Sequence, residues 1–178
     1  MRLVGIDPGF AYMGVCVADY DGERLVVDAM HCIETKKNQR KVLACDDNVK
    51  RLRKIRQGLV WFLNDFGVGV VCAESMSFPR NASSAAKVAM SWGVVVAVVD
   101  RLCLPLVQSS PQDIKLAVCD SRKASKHAMA VRLMNLYPEI GGLLEGTPAS
   151  RQEHPIDALG AIVAALESDV IKACRLKV

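Results

Sequence analysis

The sequence predicts an α/β fold in which a mixed sheet of five strands carries helices on its faces. Three observations predict it: an antiparallel meander at the start, a later alternation of short apolar runs with helical patterns, and a length of 178 residues. Hydrophobic residues make up 51% of the chain and charged residues 24%, which is typical of globular proteins and excludes a disordered or fibrous one. We therefore expect residues 1–178 to form a single domain.

The opening of the chain predicts three antiparallel strands. Leu3–Ile6 is an apolar run closed by Asp-Pro-Gly, and the runs Met13–Ala18 and Arg24–Ala29 follow it. Asp21-Gly22 separates the second run from the third, and this dipeptide favours the tight turns of hairpins. The chain is therefore predicted to begin as a meander.

A helix and a buried strand are predicted next. Asp47 can cap a helix that continues to Gly67, because apolar residues recur at helical spacing at Val49, Leu52, Ile55, Leu59, Phe62 and Phe66. Val68–Ala73 is a continuous apolar run of strand length, typical of a strand buried on both faces of a sheet. This run ends at Glu74.

The second half of the chain predicts several helices and one further strand. The apolar stretch Ala85–Val99 is interrupted by Lys87 and is shorter than the ~20 residues of a membrane span, so we interpret it as a buried helix. Its start is predicted at Asn81 or Ser83. The remaining predicted elements are a strand at Pro105–Gln108, helices at Gln112–Val118 and Ser125–Leu136, a loop at Gly141–Ser150, and a last helix at Ile156–Ile171 with Pro155 in its first turn.

The start of the chain and its cysteines indicate an intracellular protein. Asp7 and Pro8-Gly9 fall where a signal peptide would carry its apolar stretch. The seven cysteines are an odd number without a C-x-x-C pair, so neither a disulfide framework nor a zinc or redox motif is indicated. We expect most of them to be small buried hydrophobic residues in a reducing compartment.

Four potential metal ligands lie at the ends of predicted elements. Asp7 follows the first strand and Glu74 the fourth, while His154 and Asp157 are three residues apart at the start of the last helix. If the first and fourth strands are neighbours, these groups meet at one edge of the sheet. Such a cluster is typical of sites where divalent cations assist phosphodiester hydrolysis.

Each ligand taken singly has a structural alternative. Asp7 could cap the turn at Pro-Gly, and His154 and Asp157 could be an N-cap and a first-turn acid that respond to the helix dipole. Glu74 follows an apolar run, where an unpaired carboxylate costs several kcal/mol. Together the four residues favour a site.

Basic residues are concentrated in one part of this mildly basic chain, whose formal charge is +4. Between Lys36 and Arg56 the acids are Asp46 and Asp47, whereas the cations are Lys36, Lys37, Arg40, Lys41, Lys50, Arg51, Arg53, Lys54 and Arg56. The segment is either a solvated helix face with a polar loop or a patch that contacts phosphates.

Several motifs, in order along nearly the whole chain, resemble those of RuvC-type Holliday-junction resolvases, which are nucleases of the ribonuclease H-like superfamily. The opening of that family resembles Gly5-Ile6-Asp7-Pro8-Gly9 with Gly14. Arg51–Ile55 resembles the family's first helix, and Cys72–Ser75 resembles its second acidic motif. Arg80–Ala85 resembles the start of its dimerising helix, and Ile114–Val118 with Lys126 resembles its DNA-facing lysine segment. His154–Leu159 resembles its closing acidic motif. The resemblance implies a ribonuclease H-like fold with a mixed five-stranded sheet and helices on both faces.

The resemblance implies an enzyme that resolves four-way DNA junctions by paired metal-dependent nicks and leaves 5′-phosphate and 3′-hydroxyl ends. By the same resemblance, two Mg²⁺ or Mn²⁺ ions per site are coordinated by Asp7, Glu74, His154 and Asp157. Family members carry either Asp or His at the position of His154, and the softer imidazole favours Mn²⁺. His154 is also a candidate proton relay.

Contacts with DNA are implied as well. The residues concerned are Lys115, Lys126, Arg80 and Asn81, although both lysines could be ordinary solvated residues on helices. The aromatic wedge of the family falls at Ser77, and the next residue, Phe78, is either a wedge that stacks on an unpaired base or a core anchor. The segment from His31 to Asp46 is longer than the resemblance predicts.

The resemblance also implies a homodimer. The helix from Asn81 to Val99 is apolar almost all round and must be buried by the core or by a partner. An isologous dimer presents two active sites to the equivalent strands of a four-way junction. We expect branched DNA and a second copy of this chain as partners, no membrane, and a location in the cytoplasm of a bacterial cell or of a host cell.

Three other functions are compatible with parts of the sequence. A broader nuclease would cut forks and flaps as well as junctions. An architectural protein would bind junctions without cleaving them, but a cluster of acidic side chains would not strengthen binding to polyanionic DNA. The actin and sugar-kinase fold also opens with an Asp-x-Gly turn after a first strand. That fold needs two such domains, and 178 residues supply one.

Overall fold

The computed structural model describes residues 1–38, 42–76 and 81–175, and a single five-stranded sheet lies at its centre. The strands are β1 (Arg2–Asp7), β2 (Tyr12–Tyr20), β3 (Leu25–Glu34), β4 (Val70–Glu74) and β5 (Leu106–Ser109). They lie in the order β3-β2-β1-β4-β5, with antiparallel pairing from β3 to β1 and parallel pairing from β1 to β5. The predicted mixed sheet and opening meander are confirmed.

Helices cover both faces of this sheet. They are α1 (Ala44–Asp65), α2 (Ala82–Arg101), α3 (Pro111–Cys119), α4 (Lys126–Leu136), α5 (Ile140–Leu143), α6 (Ala149–Ala165) and α7 (Asp169–Arg175). Successive strand residues point to opposite faces, so Val4 and Ile6 pack in the core under α1 and α2, whereas Leu3 packs in the core under α3 to α7. The expected α/β arrangement with helices on both faces is therefore confirmed.

The β2–β3 hairpin turns at the predicted dipeptide. Asp21 Oδ1 accepts hydrogen bonds of 2.8 Å from the backbone N–H groups of Glu23 and Arg24, and Gly22 has a φ of 114°. The strands are longer than predicted, because the pairing continues to Tyr12 opposite Glu34. Residues 31–34, the start of the long segment from His31 to Asp46, are therefore part of β3.

Helix α1 begins before its predicted cap. Leu43 is the N-cap and makes no side-chain capping bond, whereas Asp47 lies inside the first turn and is buried. Asp47 Oδ1 accepts a 3.1 Å hydrogen bond from the backbone N–H of Asn38. The Asp47 carboxylate therefore holds the preceding segment against the helix. The prediction that Asp47 is the helix cap is wrong.

The last predicted helix is two helices in the structure. Helix α6 begins at Ala149 and holds Pro155 in its interior, and α7 follows as a separate helix. The predicted loop at 141–150 contains the last three residues of α5 and the start of α6. Residues 155–162 are all buried, so packing against the sheet stabilises a helix that a proline would otherwise interrupt.

Helix α2 is covered on one side only. Its buried residues include Trp92 and Val95, whereas Val96 is 47% exposed and only 28% of the most apolar part of the helix is buried. The sequence predicted a buried helix, but the chain itself covers only one side of α2. By length and composition α2 could also cross a membrane, contrary to the sequence expectation, although a core helix of a soluble protein passes the same test.

All seven cysteines lie among the described residues, and all are free thiols. Cys16 and Cys72 are buried in the sheet, where burial raises the pKa of the Cys72 thiol to about 12. Cys45 and Cys103 are exposed and the other three cysteines are partly buried, so the expectation that most cysteines are buried holds only for Cys16 and Cys72. The absence of disulfides agrees with the sequence prediction.

Candidate active site

Two carboxylates emerge together at one edge of the sheet. Asp7 is the last residue of β1 and Glu74 is the last residue of β4. These strands are parallel neighbours in which Ile6 pairs with Ala73, so both chains leave the sheet on the same side. The structure thus brings Asp7 and Glu74 to the same edge, as the sequence predicted.

Helix α6 reaches this edge because two glycines face it. A Cβ on Gly5 would overlap the carbonyl oxygen of Ala158, and a Cβ on Gly14 would overlap that of His154. Glycine is therefore required for the helix backbone to lie against β1 and β2. The close approach places His154 and Asp157 beside Asp7, in the sixth and ninth positions of α6 rather than at its start.

His154 is held by Asp7 on one side and by an aromatic ring on the other. His154 Nδ1 and Asp7 Oδ2 are joined by a 2.8 Å hydrogen bond, and the ring of Tyr12 stacks on the imidazole with centroids 5.4 Å apart. Burial lowers the pKa of His154, but the hydrogen bond and the charge of Asp7 outweigh burial and raise the pKa above its ordinary value. The Nδ1–H therefore donates to the Asp7 carboxylate.

Asp157 is buried and paired with a lysine from another helix. Lys126 Nζ donates a 2.8 Å hydrogen bond to Asp157 Oδ2 and lies 3.6 Å from Glu153 Oε2. Burial lowers the pKa of Lys126, but its bond to Asp157 and the surrounding carboxylates raise it overall. Burial raises the pKa of Asp157, and Lys126 opposes that rise.

The pKa of Glu74 reflects its burial and the negative charge of the neighbouring carboxylates. Burial, followed by the charges of Asp7 and Asp157, raises the pKa of Glu74 to about 7, and Lys126 and Lys115 act in the opposite direction. A carboxylate this close to other carboxylates ionises only with difficulty unless a cation compensates its charge. The site therefore favours bound positive charge.

The donor set fits hard divalent cations. Carboxylate oxygens and an imidazole nitrogen are ligands that Mg²⁺ and Mn²⁺ accept in proteins. Within the described ranges, no group of three His, Cys, Asp and Glu side chains already converges as a cation cage. In the structure Asp7 is hydrogen-bonded to His154, and Asp157 is paired with Lys126.

Two residues that the sequence motifs did not indicate, Arg151 and Tyr12, support the imidazole. Arg151 lies one turn before His154 on α6, places its guanidinium 5.6 Å from the centre of the Tyr12 ring, and pairs with Glu34 at 3.0 Å. Helical spacing from His154 could have indicated Arg151. Tyr12 begins β2, and only the register of the sheet places it beside the site.

The predicted DNA contacts have different positions relative to the site. Lys126 touches Asp157, and Lys115 is close enough to oppose the charge of Glu74. Asn81 is the N-cap of α2, where its side chain accepts a 3.1 Å hydrogen bond from Ser84 N–H. Phe78, the candidate wedge, and Arg80 lie outside the described residues.

The mixed sheet, with acidic residues ending β1 and β4 and a third on the helix that crosses them, defines the class of ribonuclease H-like nucleases. A family model described as crossover junction endodeoxyribonuclease RuvC matches residues 3–168. This chain therefore belongs to the RuvC family, whose members are metal-dependent enzymes. The match sets aside the kinase-like alternative.

Individual relatives agree with this assignment. The RuvC of Geotalea uraniireducens is 29% identical over 174 residues, which cover 96% of this chain and 91% of the relative. The RuvC of Prochlorococcus marinus is 32% identical over 126 residues, which cover 71% and 75% of the two chains. Thermus thermophilus RuvC, solved in complex with a Holliday junction substrate, shares the fold with a TM-score of 0.74, 24% identity and 92% coverage of each chain.

Proposed function

We propose that residues 1–178 form a single RuvC-like nuclease domain that resolves four-way DNA junctions by paired nicks, leaving 5′-phosphate and 3′-hydroxyl ends. The observation that carries the proposal is the family match over residues 3–168, since all four candidate ligands lie within it. The solved Thermus thermophilus relative, which holds a Holliday junction substrate, supports the choice of DNA. The acidic cluster favours cleavage over binding alone.

Asp7, Glu74, His154 and Asp157 are proposed to hold two Mg²⁺ or Mn²⁺ ions. Ions held by these four side chains would supply an activated water and charge stabilisation at the departing 3′-oxygen. Three of the four ligands are carboxylates, which suit Mg²⁺, while the imidazole of His154 shifts the preference towards Mn²⁺. Tyr12 and Asp7 orient that imidazole from two directions.

The lysines of the site are proposed to act on the DNA. Lys126 is bonded to Asp157, yet much of its side chain is exposed, so its ammonium can reach a phosphate oxygen without leaving the site. Lys115 adds positive charge on the Glu74 side. Together they offset repulsion between the scissile phosphate and the acidic cluster. Arg80, Asn81 and Phe78 are proposed as further DNA contacts on the strength of the family resemblance.

A homodimer formed through α2 is part of the proposal. The outer face of α2 is apolar and exposed, and a cleft of about 420 Å³ beside it is lined by residues of α1 and α2, including Val60, Met90 and Val94. An isologous pair buries such a face and provides two active sites. The proposed location is the cytoplasm, where junction DNA is available.

The decisive test is cleavage of a labelled four-way junction beside linear duplex, single strand and a splayed fork, in Mg²⁺, in Mn²⁺ and in EDTA. Asp7→Asn should abolish nicking, whereas Asp120→Asn, which removes the same charge from the exposed end of α3, should not. Symmetric metal-dependent nicks in the junction are expected. Preferred cutting of the fork would indicate a broader branched-DNA nuclease, and binding without nicks an architectural protein.

A further inference from the structure

A cleft of about 410 Å³ lies beside the active-site edge, between the end of β3 and the first half of α1. Its lining is Glu34, Thr35, Lys36, Asn38, Asp47, Lys50, Arg51 and Lys54. Cations outnumber carboxylates in this lining, and both carboxylates already have partners. Glu34 pairs with Arg151 and Lys36, and Asp47 accepts a hydrogen bond from the backbone N–H of Asn38.

Two lysines give the cleft its available charge. Lys50 and Lys54 are four residues apart on α1, so they occupy the same face of the helix, and both are exposed. Among the ion pairs of the described residues, neither lysine takes part in one. Their ammonium groups therefore remain free to meet an external anion.

Arg51 is held in a fixed position between these lysines and the active-site loop. Its Nε donates a 2.9 Å hydrogen bond to Thr35 Oγ1, and its guanidinium lies 4.2 Å from the centre of the Phe10 ring. Thr35 in turn donates a 2.6 Å hydrogen bond to the carbonyl oxygen of Phe10. The cleft is thus tied to the turn that follows Asp7.

The cleft lies a few nucleotides away from the position proposed for the scissile phosphate. Glu34 pairs with Tyr12 across the sheet, and Tyr12 stacks on His154. Because β3 is two strands away from β1 and neighbouring strands are about 4.8 Å apart, roughly 10 Å separates their ends. Phosphates of one DNA strand advance by about 3.4 Å along the helix axis, so this span corresponds to a few nucleotides.

We propose that this cleft binds the phosphodiester backbone of a substrate DNA arm, with Lys50 and Lys54 as the principal contacts and Arg51 as a fixed third cation. The inference rests on the proposed function, because it places the phosphates next to the nicked position. Free carboxylate groups of an acidic peptide would also be attracted by this charge. The shared sheet edge with the acidic cluster favours DNA.

The test compares two double variants in an Asp7→Asn background, so that the labelled four-way junction is bound without being cut. Lys50→Ala with Lys54→Ala removes the proposed contacts, while Arg24→Ala with Lys172→Ala removes the same formal charge from the β2–β3 turn and α7. Affinity is measured by fluorescence anisotropy across a series of KCl concentrations. Thermal unfolding of each variant checks that the fold is retained.

The plot of log affinity against log salt has a negative slope, and the cleft variant is expected to reduce the magnitude of that slope by about 2, since each lost phosphate contact removes roughly 0.9. Its affinity at low salt should fall at least about tenfold, whereas the control should keep the parent slope. An unchanged slope in the cleft variant, or an equal change in both variants, overturns the inference. Nicking by the unmodified chain is scored separately, so failure of the proposed function is distinguished from failure of the cleft.

Discussion

His154 and Asp7 are 147 residues apart in the chain, yet His154 Nδ1 lies 2.8 Å from Asp7 Oδ2. The bond joins the last buried helix to the first strand, so it depends on correct packing of α6 across the sheet. It also fixes which imidazole nitrogen carries the proton. The side chain at position 154 therefore influences the geometry of the Asp7 carboxylate, and under the proposed function it should also influence the metal preference of the site.

Replacing His154 by aspartate is expected to preserve nicking but to change its metal dependence. A carboxylate is a harder ligand than an imidazole, so the ratio of the Mg²⁺ rate to the Mn²⁺ rate should rise by roughly tenfold. Nicking rates of a labelled junction in each metal measure the ratio. His127→Asp on the exposed surface of α4 is the control and should leave the ratio unchanged. An unaltered ratio in His154→Asp would show that position 154 does not contribute to metal binding.

The substitution Gly14→Ala, which adds a methyl group, is expected to push α6 away from β2. The new Cβ would overlap the carbonyl oxygen of His154, so the helix backbone must move, at a cost of about 1–3 kcal/mol in the free energy of unfolding. Displacement of His154 should also slow nicking by roughly a hundredfold. Urea unfolding and junction cleavage measure the two effects.

Gly141→Ala provides the comparison for Gly14. A Cβ on Gly141 meets no atom within 4 Å, so this helical position should change stability by less than about 1 kcal/mol and leave nicking intact. If Gly14→Ala behaves like Gly141→Ala, the close approach of α6 is not what positions His154.

Local sequence signals predicted the parts of the fold that depend on neighbouring residues. Helices α3 and α4 lie close to the ranges predicted for them, Gln112–Val118 and Ser125–Leu136, and in the structure Ser110 and Ser125 cap them by accepting hydrogen bonds from backbone N–H groups. The strand pattern placed Asp7 and Glu74 at strand ends, and the parallel pairing of β1 with β4, which the sequence analysis had to assume, brings them to one edge. The helix ranges and the strand ends themselves require little knowledge of the rest of the chain.

Features set by packing could not be predicted in this way. Pro155 suggested the first turn of a helix, but contact of α6 with the glycines of the sheet keeps it in the helix interior. Asp47 resembled a cap, but it bonds a backbone group nine residues earlier in the chain. The pairing of Lys126 with Asp157 likewise depends on how two helices meet.

The ionisation of Glu74 should make the metal-free protein less stable at high pH. Its pKa rises from 4.5 to about 7 in the folded state, chiefly through burial, so the folded state binds the proton more tightly than the unfolded state does. The resulting stability is fully present below about pH 4.5 and is lost as the pH rises through about 7. The whole effect is on the order of 3 kcal/mol.

Glu74→Gln isolates this contribution, because glutamine does not ionise. Unfolding free energies in EDTA should show that the variant gains stability relative to the unmodified protein between pH 4.5 and pH 8. Glu23→Gln, at an exposed position in the β2–β3 turn, makes the same chemical change away from the site and is the matched control. A pH dependence of Glu74→Gln no larger than that of Glu23→Gln would mean that Glu74 ionises in the fold without penalty.

A charge on the outer face of α2 should dissociate the proposed homodimer. Val96 is 47% exposed in the single chain, so Val96→Glu is expected to leave the folded protomer intact. Burial of an unpaired carboxylate in an apolar interface is costly, and the dimer dissociation constant should increase at least about a hundredfold. Sedimentation equilibrium over a range of protein concentrations measures that constant.

Val131→Glu distinguishes a specific interface from general repulsion. Val131 is 43% exposed on α4, so the substitution adds the same charge to a similarly exposed apolar position on the opposite face of the sheet. The dimer should persist in this variant, and junctions should still receive paired nicks. Because each nick requires only one active site, Val96→Glu should convert paired nicking into single, uncoupled nicks. Dissociation by Val131→Glu but not by Val96→Glu would place the interface on α4 instead.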